Sequence, residues 1–305
     1  MKTSHFAFTL LSVAVLTLTF ASLASALPSR TWVASNGADS NPCSRTAPCL
    51  TFQGALPQTA AGGEINCVDA GDYGPIVITK ALTIDCVGTL GSILVPAAST
   101  GVTVNAGSSD VITLRNLSID GGGNMGTTGV GYPAAAAVHL ENVRIFNMAG
   151  YCIISNSSGS TLLTVDDSTI SDCGFTGIKV LTSSGTAAVN INNTRISKTS
   201  AGIEAGNGSR ITITKSTVYF NNNGVAQNAG AGGSTVTAVG CTFGYSSVAA
   251  LQSHSSPNFI LAFGNNFVND VLVFNPNGGS IFTGSDNNNS GSTAGTANGG
   301  SLPKI

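Results

Sequence analysis

The chain is poor in charged residues. Lys, Arg, Asp and Glu make up 9% of its 305 residues, well below the ~25% that is usual for soluble domains. The formal net charge is −2, and the basic residues do not gather into a stripe. Because binding to the phosphates of nucleic acid needs such a stripe, the composition argues against a nucleic-acid partner.

Long apolar runs are also missing, apart from one at the start. Residues 6–20 are apolar, Lys2 precedes them, and the small residues Ala24-Ser25-Ala26 follow them. This pattern predicts a signal peptide, residues 1–26, cleaved after Ala26. A retained membrane anchor is the weaker alternative, because the run is shorter than the ~20 residues that span a bilayer. We therefore expect a secreted or periplasmic protein that does not insert into a membrane in its mature form.

Only seven cysteines are present, and export would let them mature in an oxidising compartment. Cys43 and Cys49 flank a short loop and are close enough in sequence to pair. Cys67 and Cys86 lie at the ends of two short runs that are typical of strands, so stacking of these runs could bring them together. We expect both pairs to form disulfides.

The other three cysteines are harder to assign. Cys241 occupies a repeat position that is otherwise small or apolar, which predicts a buried thiol rather than a reactive one. Cys152 and Cys173 do not fall in the same repeat position, so the pairing of these three stays open. The odd count leaves at least one thiol free. No histidine spacing suggests zinc, and no metal site is expected from these residues.

An eight-residue pattern recurs seven times between Ile112 and Phe267. Its starts are 22 to 26 residues apart, which is typical of a solenoid whose repeats bury their apolar faces against one another. The copies are ITLRNLSI, VHLENVRI, LTVDDSTI, VNINNTRI, ITITKSTV, VTAVGCTF and ILAFGNNF.

Within each copy the first, third and eighth positions are apolar, and the second and seventh are mostly polar. This alternation predicts two short strands joined by a bend. The fifth position holds Asn116, Asn142, Asp167 and Asn193, residue types that tolerate left-handed backbone. Stacked copies would place these side chains in an asparagine ladder inside the bend.

A third strand follows a turn, as in Gly177-Ile178-Lys179 and Gly202-Ile203-Glu204. Three strands in about 24 residues leave no room for a helix between them. The sequence therefore predicts an all-β protein, a single-stranded parallel β-helix with three strands per coil and coils ~4.8 Å apart.

These repeats resemble the right-handed parallel β-helix coils of the pectate-lyase-like superfamily, over about residues 62–273. The segment TWVASNGADSNPCSRTAPCLTFQGAL, followed by GGEINCVDAGDYGP, is similar to the opening of secreted bacterial β-helix proteins. The resemblance implies a right-handed β-helix with a short N-terminal capping helix, here Thr51 to Ala61, which closes an otherwise exposed edge. Because this superfamily includes lyases, hydrolases, esterases, tailspikes and binding proteins, it does not fix an activity.

The expected organisation follows from these boundaries. Residues 27–61 form an N-terminal cap segment and residues 62–288 the β-helix. Residues 289–305 are Gly, Ser, Thr and Asn without an apolar period, so we expect a disordered tail.

The resemblance implies a substrate cleft along the third strands, whose outward column reads Ile154, Lys179, Glu204, Ala226 and Gln252. Lys179 could then remove a proton beside a uronate carboxylate, with Asp172 and Glu204 holding Ca²⁺, as in a polysaccharide lyase. Calcium would be a cofactor only in that case. A glycoside hydrolase would instead need two carboxyl groups ~5 to 9.5 Å apart, for which Asp172 is the only second candidate. The simpler interpretation is a surface ion pair between Lys179 and Glu204.

Further polar and aromatic side chains could contact a sugar chain. Arg144 and Arg195 share an outward column two coils apart and could bind carboxylates or sulfates, or be solvated, and Gln252 could hydrogen-bond hydroxyls. His139 and His254 have no acidic or cysteine partner at ligand spacing and are expected to be lone surface histidines. Four tyrosines could stack on sugar rings: Tyr132, Tyr151, Tyr219 and Tyr245.

The sequence thus favours a secreted β-helix protein that binds or processes an extracellular polysaccharide or cell-surface glycan, and we expect a monomer. The rival from another class is a non-enzymatic surface, adhesive or scaffold protein. The scarcity of acidic residues on the candidate face favours the rival. The row of Thr, Asn and Arg side chains favours contact with sugar.

Overall fold

The computed structural model describes residues 26–302 except 229 and 231. In these residues the chain forms a parallel β-helix, as predicted, in which each coil contributes a strand to each of three faces. The strands of successive coils pair in parallel, and nearly all of these pairings are in register. The expected signal peptide lies outside the described residues, except for Ala26.

The first face contains twelve strands within the described residues. In order along the axis they are β1 (Arg30–Val33), β2 (Gly63–Cys67), β5 (Leu82–Asp85), β8 (Val111–Arg115), β11 (Ala137–Glu141), β14 (Thr161–Asp166), β16 (Ala187–Asn192), β18 (Ser209–Thr214), β21 (Thr235–Val239), β24 (Phe259–Phe263), β27 (Ser280–Gly284) and β29 (Gly300–Leu302).

The second face follows a bend after each of these strands. It consists of β3 (Gly71–Asp72), β6 (Gly91–Leu94), β9 (Leu117–Asp120), β12 (Arg144–Met148), the first part of β15 (Thr169–Thr182), the first part of β17 (Arg195–Ala205), β19 (Thr217–Tyr219), β22 (Thr242–Gly244), β25 (Asn266–Val268) and β28 (Asn288–Ser290).

The third face follows a second bend and carries the predicted cleft. It consists of β4 (Ile76–Ile78), β7 (Thr100–Asn105), β10 (Thr128–Ala134), β13 (Tyr151–Ser157), the later parts of β15 and β17, β20 (Asn223–Gln227), β23 (Ala249–Ser253) and β26 (Phe274–Asn275). Strands β15 and β17 run through the second bend without interruption and so belong to both faces.

Apolar side chains that alternate along each strand point inward and form one continuous core. The predicted apolar positions of the repeat are buried, as Ile112, Leu114 and Ile119 show with 0% exposure each. Burying one such side chain contributes about 1.5–3 kcal/mol. Because each coil offers the core only a few of these side chains, the coils depend on their neighbours for stability.

The first bend contains the left-handed residues that the sequence predicts. Asn116 and Asn142 have φ of 56° and 52°, and Asn142 Nδ2 donates to Asn116 Oδ1 at 2.7 Å. Asn193 donates in the same way to Asp167, at 2.6 Å. The ladder exists but lies on the solvent side of the bend, since Asn142, Asp167 and Asn193 are exposed. The sequence predicted that these side chains lie inside the bend, but the left-handed backbone turns them outward.

The residue after each left-handed position points inward and builds a second, buried ladder. Ser168 Oγ accepts from the backbone N–H of Val143 at 3.1 Å, and Ser216 Oγ accepts from Thr194 N at 3.1 Å. Asn265 Oδ1 accepts from Cys241 N at 2.9 Å. These bonds tie successive coils together where the bend interrupts the backbone ladder.

The N-terminal cap differs from the prediction in its extent. The helix α1 covers only Phe52–Ala55, and a 3-10 turn, Leu56–Gln58, follows it with Pro57 at its start. Thr51 caps α1 by accepting from Gly54 N at 2.9 Å. Proline lacks the N–H that would continue an α-helix, so the helix ends well before Ala61. The cap segment also supplies β1, which pairs with β2 and so begins the first face earlier than residue 62.

Residues 289–302 are not a disordered tail in the structure. They contain the end of β28 and all of β29, which pair with β25 and β27. Asn298 replaces the missing apolar contacts with hydrogen bonds, since its Nδ2 donates to Gly279 O at 2.8 Å and its Oδ1 accepts from Ile281 N at 2.9 Å. Composition alone predicted disorder, because it does not show that polar side chains such as Asn298 form hydrogen bonds between coils.

Three disulfides connect neighbouring parts of the solenoid. Cys43–Cys49 and Cys67–Cys86 are the two predicted pairs. The third, Cys152–Cys173, joins β13 to β15. Cys241 is a free and buried thiol, as predicted, and burial raises its pKa. Disulfides of this kind are typical of proteins that mature outside the cytoplasm.

Candidate functional site

A cleft of about 330 Å³ lies on the third face, where the sequence predicts a substrate site. Its walls come from consecutive coils and combine aromatic, amide and hydroxyl side chains. The lining residues are Tyr151, Phe175, Thr176, Ser200, Ala201, Glu204, Asn223, Ala226, Asn228, Gln252 and His254.

The register of the third face places the residues of the predicted column side by side in successive coils. Lys179 pairs with Glu204, Glu204 with Ala226, and Ala226 with Gln252. The three coil steps from Lys179 to Gln252 span roughly 14 Å at ~4.8 Å per coil. The cleft is therefore an elongated surface that follows the axis of the solenoid.

Glu204 is held by three partners. Lys179 Nζ lies 3.0 Å from its Oε1, and only 19% and 16% of the two side chains are exposed. Thr176 Oγ1 donates to Oε2 at 3.0 Å, and Asn228 Nδ2 lies 3.4 Å from Oε1. Lys179 also lies 5.3 Å from the centroid of the Tyr151 ring. The simpler interpretation, an ion pair between adjacent coils, describes this geometry, although the pair is more buried than the sequence suggested.

Asp172 does not join this group. It lies in the second bend with φ of 55°, and its carboxylate is 3.3 Å from Lys198 Nζ on the next coil. Asp172 does not line the cleft, whereas Glu204 does and is the only acidic lining residue in the part of the chain that the structure describes. Asp172 and Glu204 thus pair with different lysines, and only Glu204 of the two lines the cleft.

Within the described residues, no group of three or more His, Cys, Asp or Glu side chains could hold a metal ion. None of the helices in the described residues is long and apolar enough to cross a membrane.

The two candidate arginines lie on the second face, away from the cleft. Arg144 and Arg195 flank Thr169 in the register, as predicted. The guanidinium of Arg144 lies 4.1 Å from the centroid of Phe146, and Arg144 lines a separate open groove of about 500 Å³. Arg195 lies 4.5 Å from the centroid of Tyr219. The second bend therefore divides the predicted site residues between two faces.

Two residues of the cleft, Phe175 and His254, were not predicted from the sequence. Phe175, which is 56% exposed, packs its ring 5.5 Å from that of Tyr151. It follows the second bend, in a segment whose length varies between coils, so no repeat position revealed it. His254 also lines the cleft, although its spacing suggested a lone surface residue. Asn277 Nδ2 lies 2.9 Å from His254 Nδ1.

A candidate sugar-stacking tyrosine and the other histidine considered in the sequence lie outside the cleft. Tyr132 is buried in the core with 1% exposure, so it cannot stack on a sugar. His139 Nδ1 is 2.8 Å from Thr164 Oγ1 on the next coil, as expected for a surface histidine without an acidic partner.

Comparisons with known proteins give the same fold. A search of curated protein sequences finds no match. Among solved structures, the chain is similar to pectate lyase Pel9A, with a TM-score of 0.65 and 13% identity over 89% of this chain and 78% of that chain. It is also similar to the full-length tailspike protein 2 of Escherichia coli O157:H7 bacteriophage CAB120, with a TM-score of 0.50 and 14% identity over 78% of this chain and 43% of that chain.

At these identities the structural likeness concerns the fold alone. The family model that describes the right-handed β-helix region matches residues 128–294, which is more than half of the chain. The chain therefore belongs to the right-handed β-helix family.

Proposed function

We propose that this protein binds an extracellular polysaccharide in the cleft of the third face. The observation that carries the proposal is the lining of the cleft, where two aromatic rings adjoin hydrogen-bonding side chains from successive coils. Sites for small organic ligands combine an apolar surface with a few placed polar groups in this way.

The aromatic end of the cleft suits a sugar ring. Tyr151 and Phe175 pack at 5.5 Å with their planes tilted by 58°, and Phe175 is largely exposed. The C–H bonds of a pyranose face carry a weak positive charge, and the face of an aromatic ring is negative. A sugar unit can therefore rest on this exposed ring while the rest of the chain follows the cleft.

The polar end of the cleft suits sugar hydroxyls. Gln252, Asn228 and Glu204 supply amide and carboxylate oxygens in successive coils. Asn223 also lines the cleft, and its Oδ1 is buried without a hydrogen-bond partner among the described residues. Buried polar atoms without partners are unusual in native proteins. A hydroxyl donor from a bound sugar would satisfy this oxygen after a small adjustment of the amide.

The proteins of like fold support a polysaccharide as the ligand class. One of them is named as a pectate lyase and another as a phage tailspike. We extend only the ligand class to this chain, since at 13% and 14% identity the likeness concerns the fold alone.

The geometry favours binding over cleavage. Hydrolysis ordinarily uses two carboxyl groups ~5 to 9.5 Å apart, and Glu204 is the single acidic residue in the cleft. Lyase chemistry with Lys179 as the base would need its amine to face the substrate, but this amine points to Glu204. Calcium bound by Asp172 and Glu204 would require both to leave their lysine partners.

Secretion is the second part of the proposal. Three disulfides and the apolar start of the chain support export and removal of residues 1–26. Expression with the natural start should give a mature protein that begins at Leu27, as N-terminal sequencing of the exported material would show. A cytoplasmic protein that keeps residue 1 would contradict this part.

The test of the function is a panel of polyuronides and neutral polysaccharides, with and without Ca²⁺. Affinity electrophoresis measures binding, while absorbance of unsaturated products and reducing-end assays measure cleavage. We expect retardation by at least one polysaccharide, lost in Glu204→Gln and Phe175→Ala, without new product. Unsaturated product would identify a lyase instead. Binding that survives both substitutions would overturn the assignment of the cleft.

A further inference from the structure

Three aromatic side chains form a second exposed cluster, at the bend between the second and third faces. We call Tyr219, Phe220 and Tyr245 the aromatic corner. Phe220 packs 5.1 Å from Tyr219 and stacks 4.7 Å from Tyr245 with an angle of 23° between the planes. Phe220 is 50% exposed and Tyr245 is 48% exposed. None of the three lines the cleft.

The backbone at this corner is unusual for aromatic residues. Phe220 and Tyr245 have φ of 55° and 56°, in the left-handed region that bulky side chains rarely adopt. The same position of the second bend holds Asn147, Asp172, Lys198 and Asn269 in other coils, with similar φ. Asn and Asp adopt this conformation more readily than Phe and Tyr do.

The folding of the chain does not explain these two aromatic residues. Their rings are half exposed, so they add little to the core, and their conformation is strained. Strained residues at an exposed surface point to a role in binding, provided that an independent feature identifies a ligand.

That feature is Arg195. Its Nε donates to the hydroxyl of Tyr219, and its guanidinium lies over the Tyr219 ring. In the part of the chain that the structure describes, no acidic side chain pairs with Arg195. The corner thus joins an aromatic surface to an exposed positive charge that has no counter-charge.

We propose that the aromatic corner and Arg195 form a second carbohydrate site, which binds a uronic acid unit of an acidic polysaccharide. The apolar face of the sugar rests on the exposed aromatic edge, and the sugar carboxylate pairs with the guanidinium of Arg195. A guanidinium can bind a carboxylate through two parallel hydrogen bonds. The inference rests on the proposed function only in taking a glycan as the ligand, since the two sites share no residue.

The corner lies on the same coils as one end of the cleft. Asn223, which lines the cleft, follows Phe220 by three residues, and Gln252 lies on the coil of Tyr245. One polysaccharide chain could therefore occupy both sites, so the experiment must separate them.

Calorimetric titration of the folded mature chain would use trigalacturonate, its neutral methyl ester, and a sulfated oligosaccharide without carboxylate. The variants are Arg195→Gln and the pair Phe220→Asn with Tyr245→Asn. Asparagine already occupies this bend position in Asn147 and Asn269, so these variants should fold and keep or raise the Tm. Arg210→Gln is the matched control, since Arg210 is exposed on the first face.

We expect each set of corner variants to weaken trigalacturonate binding by roughly tenfold or more, while Arg210→Gln leaves it unchanged. The methyl ester should bind the wild type as weakly as trigalacturonate binds Arg195→Gln. Equal affinity for acid and ester, a preference for the sulfated probe, or unchanged binding by the corner variants would each overturn the proposal.

Glu204→Gln and Phe175→Ala report on the cleft in the same titrations. If they alone lose affinity, the cleft assignment stands and the corner site is wrong. If the corner variants alone lose affinity, the corner site stands and the cleft assignment is wrong.

Discussion

In this fold, the effect of a substitution can be predicted from the residues that occupy the same position in other coils, and Asp270 is an example. Asp270 points into the second bend and is 3% exposed. It accepts from Ser246 N at 2.9 Å, and Ser292 Oγ lies 3.5 Å from its other oxygen. Burial nevertheless raises the pKa of Asp270 above its usual value, because the charged form loses its hydration.

Asp270→Asn should therefore stabilise the protein at neutral pH. Since the folded-state pKa is the higher one, the stability linked to this carboxyl is present below its unfolded-state pKa and is lost as the pH rises through the folded-state pKa. The equivalent Asn221 already accepts from Thr199 N at 2.9 Å, so an asparagine fits. Melting curves should show a higher Tm for the variant at pH 7 and a smaller difference near pH 3.5. A gap that widens towards acid pH would contradict this account.

Substitution of Lys179 or Glu204 distinguishes a structural ion pair from a catalytic role of Lys179. If the pair is structural, Lys179→Met leaves a largely buried carboxylate without its cation and should cost about 1–3 kcal/mol of unfolding free energy. A double-mutant cycle with Glu204→Gln should show coupling between the two sites. Urea unfolding measures both. A Lys179 variant with unchanged stability would return Lys179 to candidacy as a catalytic base.

At the scale of strands and bends, removing a disulfide and removing the free thiol should have different effects on the free energy of unfolding. Cys152 and Cys173 are 21 residues apart, and cross-linking a loop of this size restricts the unfolded chain by about 3 kcal/mol. Replacing both with serine should lower the unfolding free energy by roughly that amount in urea. A loss below about 1 kcal/mol would mean that the coils hold this region without the bond.

Cys241→Ser is the matched control and should be nearly neutral. Cys241 belongs to the buried ladder that Ser168, Thr194 and Ser216 occupy in other coils. Ser216 Oγ donates to Thr214 O at 2.8 Å, and a serine at 241 could donate to Val239 O in the same manner. We expect a change within about 1 kcal/mol in the same urea series. A loss as large as that from the Cys152 and Cys173 pair would show that the ladder does not accept a hydroxyl there.

The elements also show how far the sequence could predict this protein. The repeat predicted the strands and the first bend, because both depend on residues in a fixed position of the coil. The disulfides Cys43–Cys49 and Cys67–Cys86 were predicted instead from the short loop and the strand-like runs that these cysteines flank. Cys152 and Cys173 occupy different positions of the coil, so the repeat did not predict their disulfide. The repeat also predicted the column that contains Lys179 and Glu204, and three members of that column, Glu204, Ala226 and Gln252, line the cleft. Phe175 and His254 were missed, since they lie in segments that vary in length between coils.

At the scale of the whole molecule, covalent cross-links are unevenly distributed. The three disulfides fall between residues 43 and 173, and the later coils that the structure describes are joined by non-covalent contacts, which include the Lys179–Glu204 ion pair. Because each coil contacts only its neighbours, the later coils should open at lower denaturant than the earlier ones.

The buried thiol of Cys241 reports this opening directly. In non-reducing urea, its labelling by a thiol reagent should begin before the loss of strand signal in circular dichroism is complete. Hydrogen exchange should show weaker protection beyond residue 173 than before it. Labelling that coincides with global unfolding, together with uniform protection, would indicate one cooperative unit.

The register of the third face also determines which substitution would add a second carboxylate beside Glu204, as glycoside hydrolysis requires. Glu204 pairs with Ala226 on the next coil, so a carboxylate introduced at Ala226 would begin one coil spacing away, at ~4.8 Å between strands. The two carboxyl groups of a retaining glycosidase are only ~5 to 5.5 Å apart. In a parallel stack, a single outward substitution can thus supply the second acid of a hydrolytic pair while the inward side chains of the coil stay unchanged.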